Sequence, residues 1–362
     1  MRGPNREQDS IFSYHSPADR VPSTHPLRVI KDMANRALKG LSPEFNKMYS
    51  PIGRASIPPE KLIRALLLQA LYSIRSERLL MEELDYNLLF RWFVGLSMDD
   101  EVWDHSTFSK NRDRLLEADI VRKFFEQILD QGRAQGLLSD EHFTVDGTLI
   151  EAWASQKSFQ PKDGDPLGPA SGGNGRNEDV DYRGQKRSNE THASTTDPDA
   201  RLAKKSQGGE ARLSYMGHVL MDNRNGLVVD HRLSISSGTA ESEAAVEMVS
   251  AIDGNHRITV GMDKAYDRGS CVKEMRQLKA TPHVAQRKMG SAIDGRTTGH
   301  RGYAVSQRVR KRVEEIFGWM KTVGGYRKTR FRGVQRVGWG FTLAMTAYNM
   351  VRIRNLTLAS TV

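Results

Sequence analysis

The chain has 362 residues, 38% of them apolar and 27% charged, which is long enough to bury a substantial core and too apolar for a disordered protein. Its one cysteine, Cys271, excludes an internal disulfide framework and a four-cysteine zinc site. The net charge of +10 points to a polyanionic partner, of which nucleic acid is the commonest inside cells.

In chain order, MRGPNREQDSIF carries no apolar signal-peptide core, and LIRALLLQAL (62–71) is interrupted by Arg64 and too short for a membrane span. The expectation is a cytoplasmic protein. Pro26 opens and Gly40 stops a helix over 26–40. A Pro-, Ser- and Gly-rich loop covers 50–59. Leu, Ile and Phe then recur at helical spacing over 62–96, a length that suggests two or three short helices with a break near 73–76. DHSTFSKNRDRLL (104–116) reads as a helix opened by Asp104 or Ser106, and the helical pattern continues to about 136. Residues 1–136 therefore read as an all-helical N-terminal domain.

After Ser139 the period falls to two. HFTVDGTLI reads as a strand, and residues 156–212, poor in apolar groups, as a long exposed insertion. Two strands around turn residues 222–226 come next. A helix at about 240–252, a strand at 256–263, a helix at 268–279, a short strand at 282–287 and a helix over 303–321 complete the pattern. One strand, a hairpin and then strands alternating with helices make an α+β domain with a mixed sheet over 137–350, leaving 351–362 as a tail. Neither GxxxxGK[ST] nor GxGxxG occurs, so no nucleotide cofactor is suggested.

Two aspartates end strands in this reading: Asp146 before Gly147 and Thr148, and Asp263 after ITVGM. Such acids are costly unless hydrogen-bonded or shared with a cation, and neighbouring strands would hold them a few ångströms apart. The plain alternative is that each Asp only opens a turn. A third acid lies in RKRVEEIFGWMK (310–321). With about 100° per residue, Glu314 borders the stripe of Val313, Phe317 and Met320 and shares its face with Arg310 and Lys321, whereas Glu315 points to the more exposed side. An Arg310–Glu314 pair one turn apart would explain a salt bridge. It would not explain eleven Lys or Arg against two Glu between Arg301 and Arg336. Carboxylates holding metal beside phosphate-binding cations suit phosphoryl transfer, in which two ions about 3.5 to 4 Å apart serve the attacking and leaving oxygens.

These residues resemble a known family: the DDE transposases of bacterial insertion sequences, in the branch of insertion sequence five. The resemblance rests on Asp146 in TVDGTLIEAWAS, Asp263 in VGMDKAYD and Glu314 in RKRVEEIFGWMK. THASTTDPDARLAKKSQG, YMGHVLMDNRNGLVVD and GGYRKTRFRG also look like family sequence. The family signature runs from a tyrosine to an arginine three residues on, a glutamate four further and a lysine seven beyond that. Arg310, Glu314 and Lys321 fit it, but Gln307 stands in the tyrosine's place, with Tyr303 one turn earlier. The resemblance implies a ribonuclease H-like fold, with Asp146, Asp263 and Glu314 as catalytic and metal ligands for Mg²⁺ or Mn²⁺, two ions being expected. It implies cleavage at terminal inverted repeats and strand transfer into target double-stranded DNA by a homodimer or larger assembly. A stand-alone metal-dependent nuclease and a DNA-binding protein without turnover are the alternatives.

Phosphate contacts are expected from Arg308, Arg310, Lys311, Arg312, Lys321, Arg327, Lys328, Arg330 and Arg332, whose irregular spacing does not suit base reading. For the helix over 104–116, two readings stand. Ser109, Lys110, Asn111, Arg112 and Arg114 contact element ends, or Phe108, Leu115 and Leu116 pack it against the rest of the chain. Trp153 and Trp319 read as packing groups, and His192 and His218 as residues near the insertion.

Overall fold

The computed structural model describes residues 16–50, 52, 56–162, 187–204 and 209–359. Its first part is helical: α1 (Pro17–Arg20), α2 (Pro26–Gly40), α3 (Ser42–Met48), α4 (Pro59–Leu71), α5 (Glu77–Tyr86), α6 (Leu88–Val94), α7 (His105–Glu117) and α8 (Ile120–Ala134). Local chemistry sets the boundaries. Pro26 and Pro59 take first-turn positions, where a missing N–H costs nothing. Asn87 caps α6 by accepting from Phe90 N at 3.3 Å, and Gly95, at φ 90°, ends it. Asp104, not Ser106, caps α7, accepting from Ser106 N at 2.8 Å.

The chain then forms β1 (His142–Glu151), β2 (Phe159–Pro161), β3 (His192–Ser194), β4 (Arg201–Lys204), β5 (Ala211–Asp222) and β6 (Val228–Ile235). Next come α9 (Ala240–Ser250), β7 (Ile258–Met262), α10 (Gly269–Gln277), β8 (Ala280–Val284), α11 (Gly295–Thr298), α12 (Arg301–Val309), α13 (Val313–Thr322) and α14 (Val334–Ala359). In the main sheet β6 and β4 share one edge of β5, and the order continues β5–β1–β7–β8. β5 runs antiparallel to β1, while β7 and then β8 are parallel. Leaving aside the short β2, β3 and β4, the spatial order of the strands is third, second, first, fourth, fifth. This is the ribonuclease H-like arrangement that the resemblance implied.

Alternation along β1 decides what each face carries. Phe143 and Val145 join Leu220, Met248, Val260, Met262 and Met275 in a core under α9 and α10. Ile150, Tyr215, Val219 and Met221 face the other way, toward α13 and α14. That second core continues without a break into the N-terminal helices, through Leu62, Leu66, Phe93, Phe124 and Phe125. Burying each such side chain contributes about 1.5 to 3 kcal/mol, so the helical region and the sheet stabilise one another.

Three expectations change. α14 is a 26-residue helix, so residues 351–359 continue it rather than trailing as a tail. Its middle, residues 339–350, is buried on every side, among α8, β6, α4 and α2. No helix among the described residues is long and apolar enough to cross a membrane. The helix expected over 303–321 is broken by a 3₁₀ turn at Arg310–Arg312. The stretch 156–212 lies partly outside the described residues, and its described part is anchored. Asp197 accepts from Tyr215 Oη at 2.6 Å, and Asp199 accepts from Val334 N at 2.9 Å at the start of α14.

Candidate active site

Asp146 lies inside β1, not at its end as expected: β1 continues to Glu151 along β5. It lies two residues past the end of the parallel ladder. β1 pairs β7 as His142↔Thr259, Phe143↔Val260 and Thr144↔Gly261. That register, continued two residues past its last pair, sets Asp146 beside Asp263, and the two carboxyl groups interact electrostatically. Neighbouring strands lie about 4.8 Å apart, so two acids share one edge. Past that point no described strand pairs with β1 on this side until Glu151 meets Lys328 in a parallel bridge. The β7-side edge of β1 is therefore unpaired along Asp146, Gly147 and Thr148, and this stretch is called the slot below.

Asp146 Oδ1 accepts from Gly147 N at 2.8 Å, and Asp263 Oδ1 accepts from Ala265 N at 2.6 Å. Burial raises the Asp146 pKa to about 6; Asp263 and Glu241 add to the rise, while the Gly147 hydrogen bond and Arg310 oppose it. Burial also raises the Glu241 pKa, with Asp263 adding to it and Arg268 opposing. These acids thus oppose one another's ionisation, a conflict that a divalent cation relieves. Oxygen-only donors of this kind suit a hard cation. Among the described residues, however, no three His, Cys, Asp or Glu side chains already converge on a common ligating point.

Glu314 is exposed on the first turn of α13, as is Glu315. Its neighbours along the face reach the slot. Arg310 Cβ lies 3.4 Å from where a side chain on Gly261 would begin, and Lys321 Nζ donates to Thr148 Oγ1 at 2.6 Å. The structure therefore brings Asp146 and Asp263 together and sets Glu314 on the flanking helix, outside any preassembled cluster. Gln307, in the signature tyrosine's place, accepts from Arg310 Nε at 2.9 Å and donates to His283 O. It steadies the arginine that faces Asp146. Tyr303 instead donates to Val284 O at 3.0 Å, at the end of β8.

Residues 139–350 match the family model described as Transposase DDE domain, and residues 15–114 match a second, Transposase domain (DUF772). The chain belongs to the DDE transposase family. It is a DNA transposase, an enzyme that cuts and joins DNA with a divalent metal. No curated protein matches it. Among solved structures, a piggyBac transposase synaptic complex with hairpin DNA is 11% identical, covering 93% of this chain and 76% of that one at a TM-score of 0.43. A pre-cleavage Mos1 transpososome is 10% identical, with coverages of 85% and 81% and a TM-score of 0.20. Likeness this loose carries nothing further.

The residues expected to contact DNA divide into two groups. Lys110, Arg114, Arg308, Lys311, Arg327, Lys328 and Arg332 are exposed. Others are engaged within the fold. Ser109 and Arg112 both bond the Glu77 carboxylate, and Asn111 is buried, donating to Thr107 O at 2.8 Å. For these three the packing reading of α7 is the one the geometry favours. Arg312 donates to Asn223 O at 3.4 Å. Arg330 inserts into the helical region, donating to Gln69 Oε1 at 2.8 Å and Ile74 O at 3.1 Å. Trp153, expected to pack, is 51% exposed, with Lys328 Nζ 6.0 Å from its ring centroid. His192 does stack on Phe159, at 5.4 Å between ring centroids. His218 lies on β5 opposite Gly147.

The Asp146 environment gives a pH-dependent stability. Its folded pKa of about 6 exceeds the ordinary 3.8, so the folded state binds the extra proton between those values. The resulting stabilisation is lost as pH rises through that window. With metal chelated, Asp146→Asn should be more stable than the parent by about 2 to 3 kcal/mol at pH 7.5, with the difference shrinking to about 1 kcal/mol toward pH 4.5. Thermal melts at the two pH values measure it. A constant difference would remove ionisation as the cause.

Proposed function

We propose that this transposase cuts at the terminal inverted repeats of its own element and transfers the resulting ends to target DNA, with Asp146, Asp263 and Glu314 as the acids that hold Mg²⁺ or Mn²⁺. The observation that carries the reading is the parallel register that sets Asp146 beside Asp263 at the head of a slot flanked by Arg310 and Lys321. Two ions are the expected complement. Bound there, they would supply an activated attacking oxygen and a stabilised leaving oxygen.

The chain's own residues do the rest. Lys321, held by Thr148, keeps a positive charge over the slot, and Arg310, held by Gln307, does so at its head. Both favour a phosphodiester there and withdraw charge from its oxygens. The exposed Lys and Arg on the loop after α13 extend that field along the duplex. Lys110 and Arg114 add to it from α7. The assembly on DNA is proposed to be a homodimer or larger.

The test is incubation of the full chain with Mg²⁺ and a DNA fragment carrying the element's ends or a scrambled sequence. Cleavage and joining confined to the true ends support the reading. Equal cutting of both fragments favours a stand-alone nuclease, and binding without cutting favours a protein without turnover. An isolated 1–136 fragment is a poor test of end recognition, because the core it shares with α14 would be exposed.

The phosphate role has its own test. Replacing Lys328 and Arg332 together with Ala should lower the slope of log affinity against log salt by about 2, near 0.9 per lost contact. Fluorescence anisotropy across a salt series reads it. An unchanged slope with lost preference for one sequence would reassign these residues to base reading.

A further inference from the structure

Glu241, on the first turn of α9, reaches the slot from the face of the sheet opposite α12 and α13. A Cβ placed on Gly147 would lie 3.2 Å from Glu241 Oε1 and 3.4 Å from Glu241 Cγ. Only a residue without a side chain lets this carboxylate come so close to the backbone after Asp146. The same point lies 3.4 Å from His218 Nδ1. His218 is fully buried, and its Nε2 is paired with Ser234 Oγ at 2.8 Å. Its Nδ1 has no hydrogen-bond partner among the described residues. A buried polar atom left unsatisfied is costly, and here it faces the same small space as a carboxylate. Gly147 and His218 lie on the α9 face of β1 and Asp146 on the α13 face, so the two spaces meet around the edge of β1, which no described strand covers past the Met262 end of β7.

We propose that Glu241 is a further carboxylate ligand of the divalent cation, entering through the gap that Gly147 leaves beside Asp146. His218 is a positioning residue, filling the space behind Glu241 and offering Nδ1 to its carboxylate or to water. The proposal rests on the reading of Asp146 and Asp263 as metal ligands. It gives the site an acid from the α9 face, in addition to Glu314 on the α13 face. It also gives Gly147 a reason that turn geometry does not supply, since the residue lies within a regular strand.

The test is Mn²⁺ binding to the full chain without DNA, followed by the electron paramagnetic resonance signal of the unbound ion, with a thermal melt of each variant alongside. Glu241→Gln should weaken Mn²⁺ binding at least tenfold, a loss typical of metal-site partners, without lowering the melting temperature. Gly147→Ala, whose Cβ would press on Glu241, should weaken it similarly with Asp146 and Asp263 intact. Glu243→Gln, exposed on the same helix, should bind as the parent does. Glu241→Asp keeps the charge and should fall between parent and Gln, which a purely structural role would not produce. Normal Mn²⁺ affinity in Glu241→Gln alongside a large loss in Asp146→Asn would overturn this proposal alone. Normal affinity in both would overturn the metal reading of the site.

Discussion

Asp146→Ala and Asp263→Ala should each lower DNA cleavage and joining by about 10³-fold or more, with DNA affinity little changed. A cation at such a site supplies several kcal/mol of charge stabilisation, and each 1.36 kcal/mol is tenfold in rate. Either substitution removes a carboxylate from the ladder edge while leaving every Lys and Arg that could hold phosphate. Single-turnover cleavage of end-bearing DNA in Mg²⁺ measures the effect, and anisotropy confirms that binding persists. The same loss is expected of Glu314→Ala, whose side chain is exposed but flanked on its face by the two slot-facing cations. Glu315→Ala is the control, since its direction on α13 is away from the buried stripe. Ordinary metal-dependent cleavage by Asp146→Ala would sink the site assignment. Ordinary cleavage by Glu314→Ala alone would leave the two aspartates and remove α13 from the site.

The parts of this architecture that were legible in the sequence are those fixed by local chemistry. Pro26 and Gly40 bound α2 as their backbone preferences dictate, and the break at 73–76 falls between α4 and α5. The switch to a two-residue period at 142 gives β1, and the turn residues at 222–226 separate β5 from β6. The two aspartates stand out in the sequence because acids beside apolar strands are costly. What failed depended on tertiary context. α14 mixes Gly338, Gly340, Thr342 and Thr346 with its large residues, so it shows no single apolar stripe; its middle is buried on all sides instead. Gly340 has no local signature either, yet a Cβ there would lie 2.6 Å from Tyr326 Oη. Asp146 was expected to end its strand because a sequence cannot show that β5 outlasts β7 along β1. Glu241 has no local signature, since its nearness to Gly147 spans a long sequence separation. Arg330 looked like one more cation in a basic tract, and only its neighbours reveal otherwise.

That reassignment carries the second large effect. Arg330→Ala should destabilise the protein by about 3 to 5 kcal/mol, whereas Arg332→Ala, two residues on and exposed, should change stability by less than about 0.5 kcal/mol. The Arg330 guanidinium donates to Gln69 Oε1 at 2.8 Å, Ile74 O at 3.1 Å and Arg75 O at 3.4 Å, joining the loop before α14 to the end of α4. Its head lies 5.4 Å from the Phe331 ring centroid, and burial lowers its pKa. Removing it leaves Gln69, only 2% exposed, with a buried acceptor and no partner in its place. Hydrogen bonds to a charged donor contribute about 1.5 to 3 kcal/mol each, though not additively when they share one head group. Arg330→Lys keeps the charge but loses the planar fork, so it should recover only part of the loss. Urea unfolding of the three variants measures stability, and a salt series of DNA affinity completes the comparison. Arg332→Ala should lower the salt slope at unchanged stability, and Arg330→Ala should do the reverse. If Arg330→Ala unfolds at the parent's urea midpoint while its salt slope falls, the guanidinium is holding phosphate and the joint between α4 and the loop lies elsewhere.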